Sequence, residues 1–255
     1  MDGPRLYIGI PVGSGMLMLN CAIALQVAMK ECAANGWVEP ICYYRACDSD
    51  IARARNVIIG RFLKSDCTHL LMIDSDISWP PGAVTRMLSH KKDFVAGAYR
   101  GKTDEKDVYF IRWPQKKEME VNPDTGFPLL KVDGIAIGFC LLTRSCVEKL
   151  AEPYKDRWMA DLVIPDETFP WVIDFDKSEG TRYEEGYSLC RKWRDMGGEC
   201  WVDPGINLGH MGMKIFESNL VGFLEKMQRI SGPVSDVQAR IEEAWLRGAP
   251  KEAAE

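Results

Sequence analysis

Residues 68–81 have the sequence THLLMIDSDISWPP, and this stretch decides the fold. Its apolar part, Thr68 to Ile73, predicts a buried strand, because short apolar runs bounded by turn residues are typical of such strands. Asp74-Ser75-Asp76 follows at the exit of that strand. Two carboxylates one residue apart supply hard oxygen ligands that suit Mg²⁺ or Mn²⁺, ions that often complete their shell with phosphate oxygens. The alternative is that Asp76 caps a helix beginning near Pro81.

The chain contains a second copy of this triplet, Asp48-Ser49-Asp50. It leads directly into Ile51–Asn56, a run with helical character. Ser and Asp are preferred at helix N-caps, so here we expect Ser49 or Asp50 to cap the helix. The triplet alone therefore does not indicate a metal site, and its context decides.

Composition and length bound the fold. The chain has 255 residues and 46% hydrophobic content, which is enough to bury a full core as one α/β domain. The net charge of −5 does not indicate general binding of nucleic acid, but it does not exclude a local basic groove. The nine cysteines show no C-x-x-C spacing. Several lie in apolar runs, where a thiol packs as a small hydrophobe.

One apolar segment, Ile8 to Met29, approaches membrane-spanning length. Pro11, Gly13 and other loop-forming or polar residues interrupt it, so it divides more naturally into a strand, a Gly-rich loop and a helix. We therefore expect no integral membrane segment. With no signal peptide in the sequence, we expect a reducing, cytoplasmic compartment.

Strands and helices alternate in the first half of the chain, which predicts an α/β fold with a mostly parallel central sheet. The predicted strands are Leu6–Ile10, Glu39–Tyr44, His69–Ile73 and Phe94–Tyr99. The predicted helices are Met16–Cys32, Ile51–Lys64 and Pro81–Ser89. Ligands of such sheets bind beyond the carboxyl ends of the strands, so the loops Pro11–Gly15, Arg45–Asp50 and Asp74–Asp76 are expected to meet in one crevice.

The second half is less regular. We predict strands at Tyr109–Trp113, Leu129–Val132, Ile135–Thr143 and Glu199–Asp203, and helices at Arg144–Leu150, Tyr187–Met196, Ile215–Ile230 and Ser235–Arg247. Pro153 to Thr181 shows no periodicity and is interpreted as a long loop or lid. These elements suggest a catalytic domain over residues 1–214, with a nucleotide-binding half at about 1–100 and an acceptor-side half at about 101–214. Residues 215–255 form a C-terminal helical extension, which is also a candidate surface for homo-oligomer formation.

Several single residues have both a functional and a structural interpretation. Arg53 and Arg55 are suited to bidentate phosphate binding, or they are ordinary charges on a helix face. Gly134 and Gly138 mark the close approach of a ligand, or tight packing. His210 is a metal ligand, or a polar loop residue. The pair Glu184-Glu185 supplies a general base, or favours a helix N-terminus through the dipole.

Taken together, the motifs resemble a known family. They are IGIPV (8–12), DIARARNVI (50–58), THLLMIDSDISWPP (68–81), VAGAY (95–99), VDGIAIGFCLLTR (132–144) and YSLCRKWRDMGGECWVDPGINLGHMG (187–212). Over about residues 5–215 the chain resembles a GT-A glycosyltransferase of the large family-two type, particularly the compact enzymes of bacteria and their phages. The resemblance implies one GT-A domain and a nucleotide-sugar donor, with a UDP-sugar favoured by its frequency in the family.

The resemblance also implies site residues. Mn²⁺ or Mg²⁺ would be held by Asp74 and Asp76, with Asp76 the more direct ligand, and His210 would match the family's late metal-binding histidine. The nucleotide-sugar would contact residues on the loops and strand ends, namely Pro11, Val12, Arg45, Asp48, Arg53, Arg55, Asn56, Asp74, Ser75, Gly134 and Gly138.

The chain departs from the family at Gly186, where an Asp commonly acts as general base. The remaining candidates for that role are Glu185, then Glu184 and Asp133. The stereochemical outcome, inverting or retaining, is therefore open.

Two alternatives to a glycosyltransferase remain, a nucleotidyltransferase and a non-catalytic nucleotide-sugar-binding protein. The acceptor is a glycan or, for a phage-type enzyme, a hydroxymethylated base in DNA. A basic strip that would suit DNA consists of Lys91, Lys92, Arg100, Lys102 and Lys106.

Overall fold

A computed structural model describes residues 3–226 of the chain, apart from 105–106, 116–117, 162–163, 179–180 and 213; at 176–178 and 181–183 only the backbone is described. The strands are β1 (Leu6–Val12), β2 (Ile41–Ala46), β3 (His69–Ile73), β4 (Ile77–Ser78), β5 (Phe94–Gly97), β6 (Ile111–Arg112), β7 (Met119–Val121), β8 (Pro128–Val132), β9 (Gly134–Ile135), β10 (Phe139–Thr143), β11 (Met159–Ala160), β12 (Thr168–Phe169), β13 (Asp176–Ser178), β14 (Thr181–Tyr183), β15 (Cys200–Asp203), β16 (Gly209–Met211) and β17 (Ile215–Glu217). The helices are α1 (Leu19–Ala34), α2 (Ile51–Lys64), α3 (Ala83–Ser89), α4 (Arg144–Ala151), α5 (Glu185–Asp195) and α6 (Leu220–Lys226), with a 3₁₀ turn at Glu152–Tyr154.

An eight-stranded central sheet organises the molecule, in the order β2-β1-β3-β10-β5-β15-β8-β7. Strands β1, β2, β3, β5, β15 and β7 run in one direction, and only β10 and β8 run against them. The predicted α/β class with a mostly parallel sheet is confirmed in this sense of strand direction. Because the two reversed strands are interior, however, most neighbouring pairs beyond β3 are antiparallel.

Helices cover both faces of the sheet, which explains why its inner strands are apolar on both sides. One core contains Ile58 and Phe62 of α2 together with Val147 of α4. The opposite core contains Leu25 of α1 and Met87 of α3. All seven residues of β1 are buried, as expected for a strand covered on both faces.

Two elements have the bounds that their local sequence signals predicted. Helix α2 and strand β3 have the predicted bounds, and Asp50 caps α2 by accepting hydrogen bonds from the Ala52 and Arg53 backbone N–H groups. The Asp48-Ser49-Asp50 triplet is thus a helix cap, as predicted.

Two predicted elements differ in the structure. The strand predicted at Ile135–Thr143 is interrupted, because β9 pairs with β6 whereas β10 joins the central sheet. The helix predicted from Ile215 was wrong at its start, since Ile215–Glu217 forms β17 and pairs with β16. Its middle part is helix α6, and its end and the helix predicted at Ser235–Arg247 lie outside the described residues. The domain division at residue 214 stays a prediction.

Within Pro153–Thr181, the predicted lid, two short strands form a hairpin-like pair, β11 with β12, and β13 pairs with β14. In the described part of the chain, every helix is too short or too polar to cross a membrane.

A small second sheet, in the order β17-β16-β4, lies beyond the end of β3. Strand β4 belongs to the segment that follows Asp74-Ser75-Asp76, and β16 contains His210. Ile77 is opposite His210 in the β4–β16 pair, and the Met211 N–H donates to the Asp76 carbonyl at 2.8 Å. This sheet brings together the two predicted metal-binding motifs.

Candidate active site

A cleft of about 380 Å³ opens where the carboxyl ends of β1, β3 and β5 meet the small sheet. It is lined by Pro11, Gly13, Ile51, Arg55, Asp74, Ser75, Asp76, Tyr99, Phe110, Glu185 and His210. The sequence predicted that the loops following β1 and β3 would meet in one crevice, and they do. The third loop, Arg45–Asp50, adjoins them, since the Asp48 carbonyl lies 3.0 Å from where a Cβ would stand on Gly13.

Gly138 allows Asp74 to sit at the floor of the cleft. Because β10 runs against β3, the start of β10 lies beside the end of β3, and the Asp74 N–H donates to the Gly138 carbonyl at 2.8 Å. A Cβ on Gly138 would stand 2.3 Å from Asp74 Oδ2 and 2.6 Å from the Tyr99 hydroxyl oxygen. The glycine therefore makes room for protein side chains that belong to the cleft.

Arg55 is the buried cation of the cleft. One guanidinium nitrogen donates to Asp74 Oδ1 at 2.7 Å, and another donates to Glu185 Oε1. Burial disfavours the charged guanidinium, but the carboxylates of Asp74 and Glu185 outweigh burial and raise the pKa of Arg55. Arg55 thus ties the end of β3 to the start of α5.

Asp76 faces two basic side chains. Lys102 Nζ lies 2.5 Å from Asp76 Oδ2, and His210 Nε2 lies 3.7 Å from the same oxygen. Burial would raise the pKa of the Asp76 carboxyl, but the neighbouring His210 and Lys102 side chains hold it below its ordinary value. The carboxylate is thereby kept in the form that a cation requires.

The backbone orients the His210 ring. Its Nδ1 lies 2.8 Å from the Arg100 carbonyl oxygen, which can only accept a hydrogen bond, so Nδ1 carries the proton. In the neutral ring, Nε2 then presents a lone pair on the side of Asp76. A backbone carbonyl that accepts a hydrogen bond from the far ring nitrogen is the usual arrangement of a metal-binding histidine.

These residues fit a divalent cation in part. Among the described residues, no three His, Cys, Asp or Glu side chains form a complete metal cluster. Asp76 and His210 provide an oxygen and a nitrogen ligand in one place, whereas Asp74 is engaged by Arg55. A cation held by two side chains would complete its shell with phosphate oxygens and water, as Mg²⁺ commonly does.

Other residues predicted to bind the nucleotide-sugar lie beneath or beside the cleft. Val12 is buried in the core. Arg45 and Arg53 both bond the buried carboxylate of Asp48, at 3.1 Å and 2.7 Å, and so stabilise the loop before α2. Asn56 is fully buried and bonds the backbone of Val172 and Ile173.

The three remaining acidic candidates lie in three different places. Glu185 lines the cleft, whereas Glu184 is exposed at the N-cap of α5. Asp133 lies in a different pocket, where its Oδ1 is 2.9 Å from an Arg194 nitrogen. A Cβ on Gly134 would meet the Tyr187 ring at 2.6 Å, which is tight packing between β9 and α5.

The departure at Gly186 has a steric explanation. A Cβ at this position would lie 3.1 Å from the Ile135 carbonyl oxygen and 3.3 Å from the Ile137 nitrogen. An Asp here would press on the backbone between β9 and β10. Of the acidic candidates, the cleft contains Glu185.

Four residues that line the cleft were not predicted from the sequence as nucleotide or metal contacts, namely Gly13, Ile51, Tyr99 and Phe110. Lys102, which contacts Asp76, was not predicted either. Tyr99 is the most informative of them. Strand β5 ends at Gly97, and the Tyr99 side chain that follows lies in the cleft with its hydroxyl oxygen 3.5 Å from Asp74 Oδ2. Burial, reinforced by Asp74, raises the pKa of the Tyr99 hydroxyl well above its ordinary value. Its position after an apolar strand was the available signal.

The predicted basic strip is largely neutralised by acidic partners. Lys91, Lys92, Arg100 and Lys102 contact Asp124, Glu120, Asp107 and Asp76 respectively. Lys106 lies outside the described residues.

Comparisons with known proteins give distant structural similarities. No protein-family model and no curated protein matches the chain. A197 from STIV is similar at 15% identity and a TM-score of 0.49, over 82% of this chain and 86% of that one. GalNAc-T7 with UDP, GalNAc and Mn²⁺ is similar at 10% identity and a TM-score of 0.47, and S. aureus TarS at 8% and 0.41.

The alignments differ in extent. They cover 94% of this chain and 54% of GalNAc-T7, and 96% of this chain and 72% of TarS, so this chain spans about half the length of the GalNAc-T7 structure. With these low identities and TM-scores, none of the three similarities assigns an activity to the chain.

Proposed function

We propose that this protein is a metal-dependent glycosyltransferase that moves a sugar from a nucleotide-sugar, with a UDP-sugar favoured, to a hydroxyl acceptor. One observation carries the proposal. Asp76 and His210 converge in a single cleft with the Arg55 ion-pair network, at the carboxyl ends of the strands. Open α/β sheets bind their ligands at that edge.

Asp76 and His210 are the residues that would hold Mn²⁺ or Mg²⁺, and Asp74 would support them from the floor. When bound, the cation would neutralise charge that develops on the departing nucleoside diphosphate. Lys102 must leave Asp76 when a cation binds there. Its ammonium group would then be available to bind a phosphate, since the Lys102 side chain is partly exposed.

Glu185 is the proposed acceptor of the proton from the attacking hydroxyl. Arg55 bonds one of its carboxylate oxygens and holds the side chain in the cleft, at the end that we assign to the acceptor. Pro11, Gly13 and Ile51 would contact the nucleotide, because they line the end formed by β1 and α2. The acceptor, whether a glycan or DNA, the cytoplasmic location and homo-oligomer formation remain predictions.

A second candidate is a non-catalytic nucleotide-sugar-binding protein. The observation that favours it is that Gly186 lacks the family's usual base and that Glu185 is already engaged by Arg55. No comparable observation on the described cleft favours the nucleotidyltransferase alternative.

Calorimetry with UDP tests the proposal. UDP should bind with Mn²⁺ present and bind at least about tenfold more weakly in EDTA, a difference of about 1.4 kcal/mol. Asp76→Asn should abolish this metal dependence, whereas Asp50→Asn should retain it, because Asn still caps α2. Equal affinity for UDP with and without Mn²⁺ would remove the metal role. UDP release from a UDP-sugar separates the transferase from the non-catalytic alternative.

A further inference from the structure

Tyr99 is a buried residue of the cleft to which the proposed sugar transfer assigns no role. It follows the end of β5, it is 8% exposed, and it lines the cleft together with Asp74 and His210. A buried tyrosine contributes apolar area to a core, and Tyr99 does belong to the core that contains α1. Its neighbours in the cleft indicate a second role.

The Tyr99 ring packs against the His210 ring. The two ring centres are 4.9 Å apart and the ring planes are inclined by 66°, which is the edge-to-face arrangement that aromatic pairs favour. The next residue along the chain, Arg100, accepts the hydrogen bond from His210 Nδ1 at 2.8 Å. Two consecutive residues therefore hold the imidazole, one through a ring nitrogen and the other through the ring itself.

The backbone of β16 does not by itself orient the His210 side chain. His210 is opposite Ile77 in β4 and Phe216 in β17, and this pairing leaves the side-chain torsions free to select among rotamers. The hydrogen bond from Nδ1 to the Arg100 carbonyl still allows the ring to tilt about the line that joins the two atoms. The Tyr99 ring lies against the imidazole and restricts that tilt.

The other end of Tyr99 is enclosed at the floor of the cleft. Its hydroxyl oxygen lies 3.5 Å from Asp74 Oδ2, and a Cβ on Gly138 would stand 2.6 Å from the same hydroxyl oxygen. Gly138 thus makes room for the hydroxyl end of the side chain. Because that end is enclosed, the Tyr99 ring has little freedom to move away from His210.

The orientation of the imidazole decides whether the two proposed metal ligands meet. His210 Nε2 lies 3.7 Å from Asp76 Oδ2. Nδ1 and Nε2 are on opposite sides of the ring, so a tilted or rotated imidazole would carry Nε2 away from Asp76. Replacing a residue that orients a metal-binding histidine typically lowers metal affinity by about 10–100-fold.

We propose that Tyr99 is a positioning residue, whose ring holds His210 in the orientation that places Nε2 beside Asp76. The consequence for metal binding rests on the proposed transferase function, whereas the orientation of His210 does not. The ring has this role rather than the hydroxyl group. An ordinary hydrogen bond between two oxygen atoms is about 2.5–3.0 Å long, and the Tyr99 hydroxyl oxygen is 3.5 Å from Asp74.

NMR of the histidine rings in the metal-free protein tests the orientation. The chain has three histidines, and the His210 signals are those that a His210→Ala variant lacks. In the wild-type protein we expect a single His210 tautomer, protonated at Nδ1, and nuclear Overhauser effects between the His210 and Tyr99 ring protons. Tyr99→Leu should give averaged ring-nitrogen shifts from exchanging tautomers, whereas Tyr99→Phe should retain the wild-type tautomer.

Mn²⁺ binding in the presence of UDP tests the consequence. A titration followed by electron paramagnetic resonance should show about tenfold weaker Mn²⁺ binding in Tyr99→Leu, since the imidazole is no longer held in place. Tyr99→Phe should bind Mn²⁺ as tightly as the wild-type protein, because it retains the ring.

Tyr7→Leu is the matched control. Tyr7 is also a buried tyrosine, 4% exposed, and its ring packs edge-on against Phe62 in the opposite core. Tyr7→Leu should lower stability as Tyr99→Leu does, but it should leave the His210 tautomer and the Mn²⁺ affinity unchanged. If Tyr99→Leu does not fold, Tyr99→Met provides the same test with a longer side chain, and the Overhauser effects in the wild-type protein need no variant.

Three results would overturn the proposal. The first is the absence of Overhauser effects between Tyr99 and His210. The second is a folded Tyr99→Leu variant with an unchanged His210 tautomer or, where the wild-type protein binds Mn²⁺, with an unchanged Mn²⁺ affinity. The third is an equal loss in Tyr99→Phe and Tyr99→Leu.

The wild-type titration distinguishes this proposal from the proposed function. A wild-type protein that binds neither Mn²⁺ nor UDP would refute the transferase function. If such a protein still showed the expected His210 tautomer and its loss in Tyr99→Leu, Tyr99 would stand as the residue that positions His210.

Discussion

Lys102 places an ammonium group on the carboxylate that is the best candidate for a metal ligand. The 2.5 Å contact with Asp76 Oδ2 means that, in the absence of a cation, the negative charge of Asp76 is already balanced. A divalent cation therefore has to displace a positive side chain before it can bind. This competition predicts that a metal binds weakly in the absence of nucleotide. A diphosphate would strengthen the binding, because its oxygens can bind both the cation and the Lys102 ammonium group.

Lys102→Gln should consequently raise the affinity for Mn²⁺ measured without nucleotide. A partly exposed ion pair contributes up to about 1 kcal/mol, so we expect an increase of about fivefold. Titration of free Mn²⁺ by electron paramagnetic resonance measures it directly. Lys214→Gln is the control, because Lys214 contacts the exposed Asp104 instead. An affinity that is unchanged in Lys102→Gln would mean that Lys102 does not compete with the metal.

Glu185 and Glu184 form a natural pair of test and control positions. Glu185 lines the cleft against Arg55, while Glu184 is exposed. If Glu185 takes the acceptor proton, Glu185→Gln should lower kcat by about 10²–10⁴ with little change in UDP affinity. Glu184→Gln should have near-normal kcat. Steady-state kinetics with the true acceptor decide, and normal turnover by Glu185→Gln would leave the reaction without this base.

At the scale of elements, Asn56 has a structural role that was not predicted from the sequence. The family resemblance implied that Asn56 contacts the nucleotide-sugar, because Asn56 belongs to the motif DIARARNVI (50–58). Its side chain faces the other side of α2, where Oδ1 accepts from the Val172 and Ile173 N–H groups at 2.8 Å each and Nδ2 donates to the Ile173 carbonyl at 2.6 Å. Asn56 therefore anchors the segment that follows β12 to α2.

Asn56→Ala should leave those backbone groups buried without partners. Each such group costs about 1–3 kcal/mol, so we expect the free energy of unfolding to fall by roughly 3 kcal/mol. Urea denaturation measures the change. Asn35→Ala is the control, because Asn35 bonds only the Glu31 carbonyl at the exposed end of α1. Equal stability of the two variants would show that Asn56 is not an anchor.

The elements also show what the sequence could and could not predict. Helix α2 and strand β3 were predictable because their signals, a cap and an apolar run, are local. Strand β17 was not, since its three residues form a strand only by pairing with β16. Lys102 was interpreted as part of a basic strip because its partner, Asp76, is distant in sequence.

At the scale of the whole molecule, Asp203 connects α3 to the end of β15. Its buried carboxylate accepts two hydrogen bonds from Arg86, at 2.5 and 2.6 Å, and one from the Gly205 N–H at 2.8 Å. His90 Nε2 lies 2.7 Å from the same carboxylate. Burial would raise the pKa of Asp203, but His90 and Arg86 together lower it.

Asp203→Asn should lower the free energy of unfolding by roughly 3–5 kcal/mol at pH 7, because it leaves Arg86 buried without its counter-charge. The pKa of Asp203 is lower in the folded than in the unfolded chain. Its stabilisation is therefore complete above about pH 4 and is lost as pH falls through the folded value.

Urea unfolding of both proteins between pH 7 and pH 3 measures this, and the difference between them should shrink at the acid end. Asp124→Asn is the control, since the Lys91–Asp124 pair is exposed and contributes at most about 1 kcal/mol. A difference that stays constant down to pH 3 would contradict the ionic role of Asp203.

The pairing of β4 with β16 has a consequence for how the protein is made. A ribosome that has just released the segment with Asp74 and Asp76 has not yet synthesised His210, so the nascent chain exposes a carboxylate pair without its imidazole partner. Most of the central sheet can assemble before that point, because β16 follows every one of its strands in the chain. A chain interrupted before Gly209 would retain much of its core yet lack one of the two residues, Asp76 and His210, that we propose as metal ligands. Under the proposed function, the metal site would therefore be completed late in translation, and an unfinished chain would not bind the ion and its nucleotide in the way that the finished chain does.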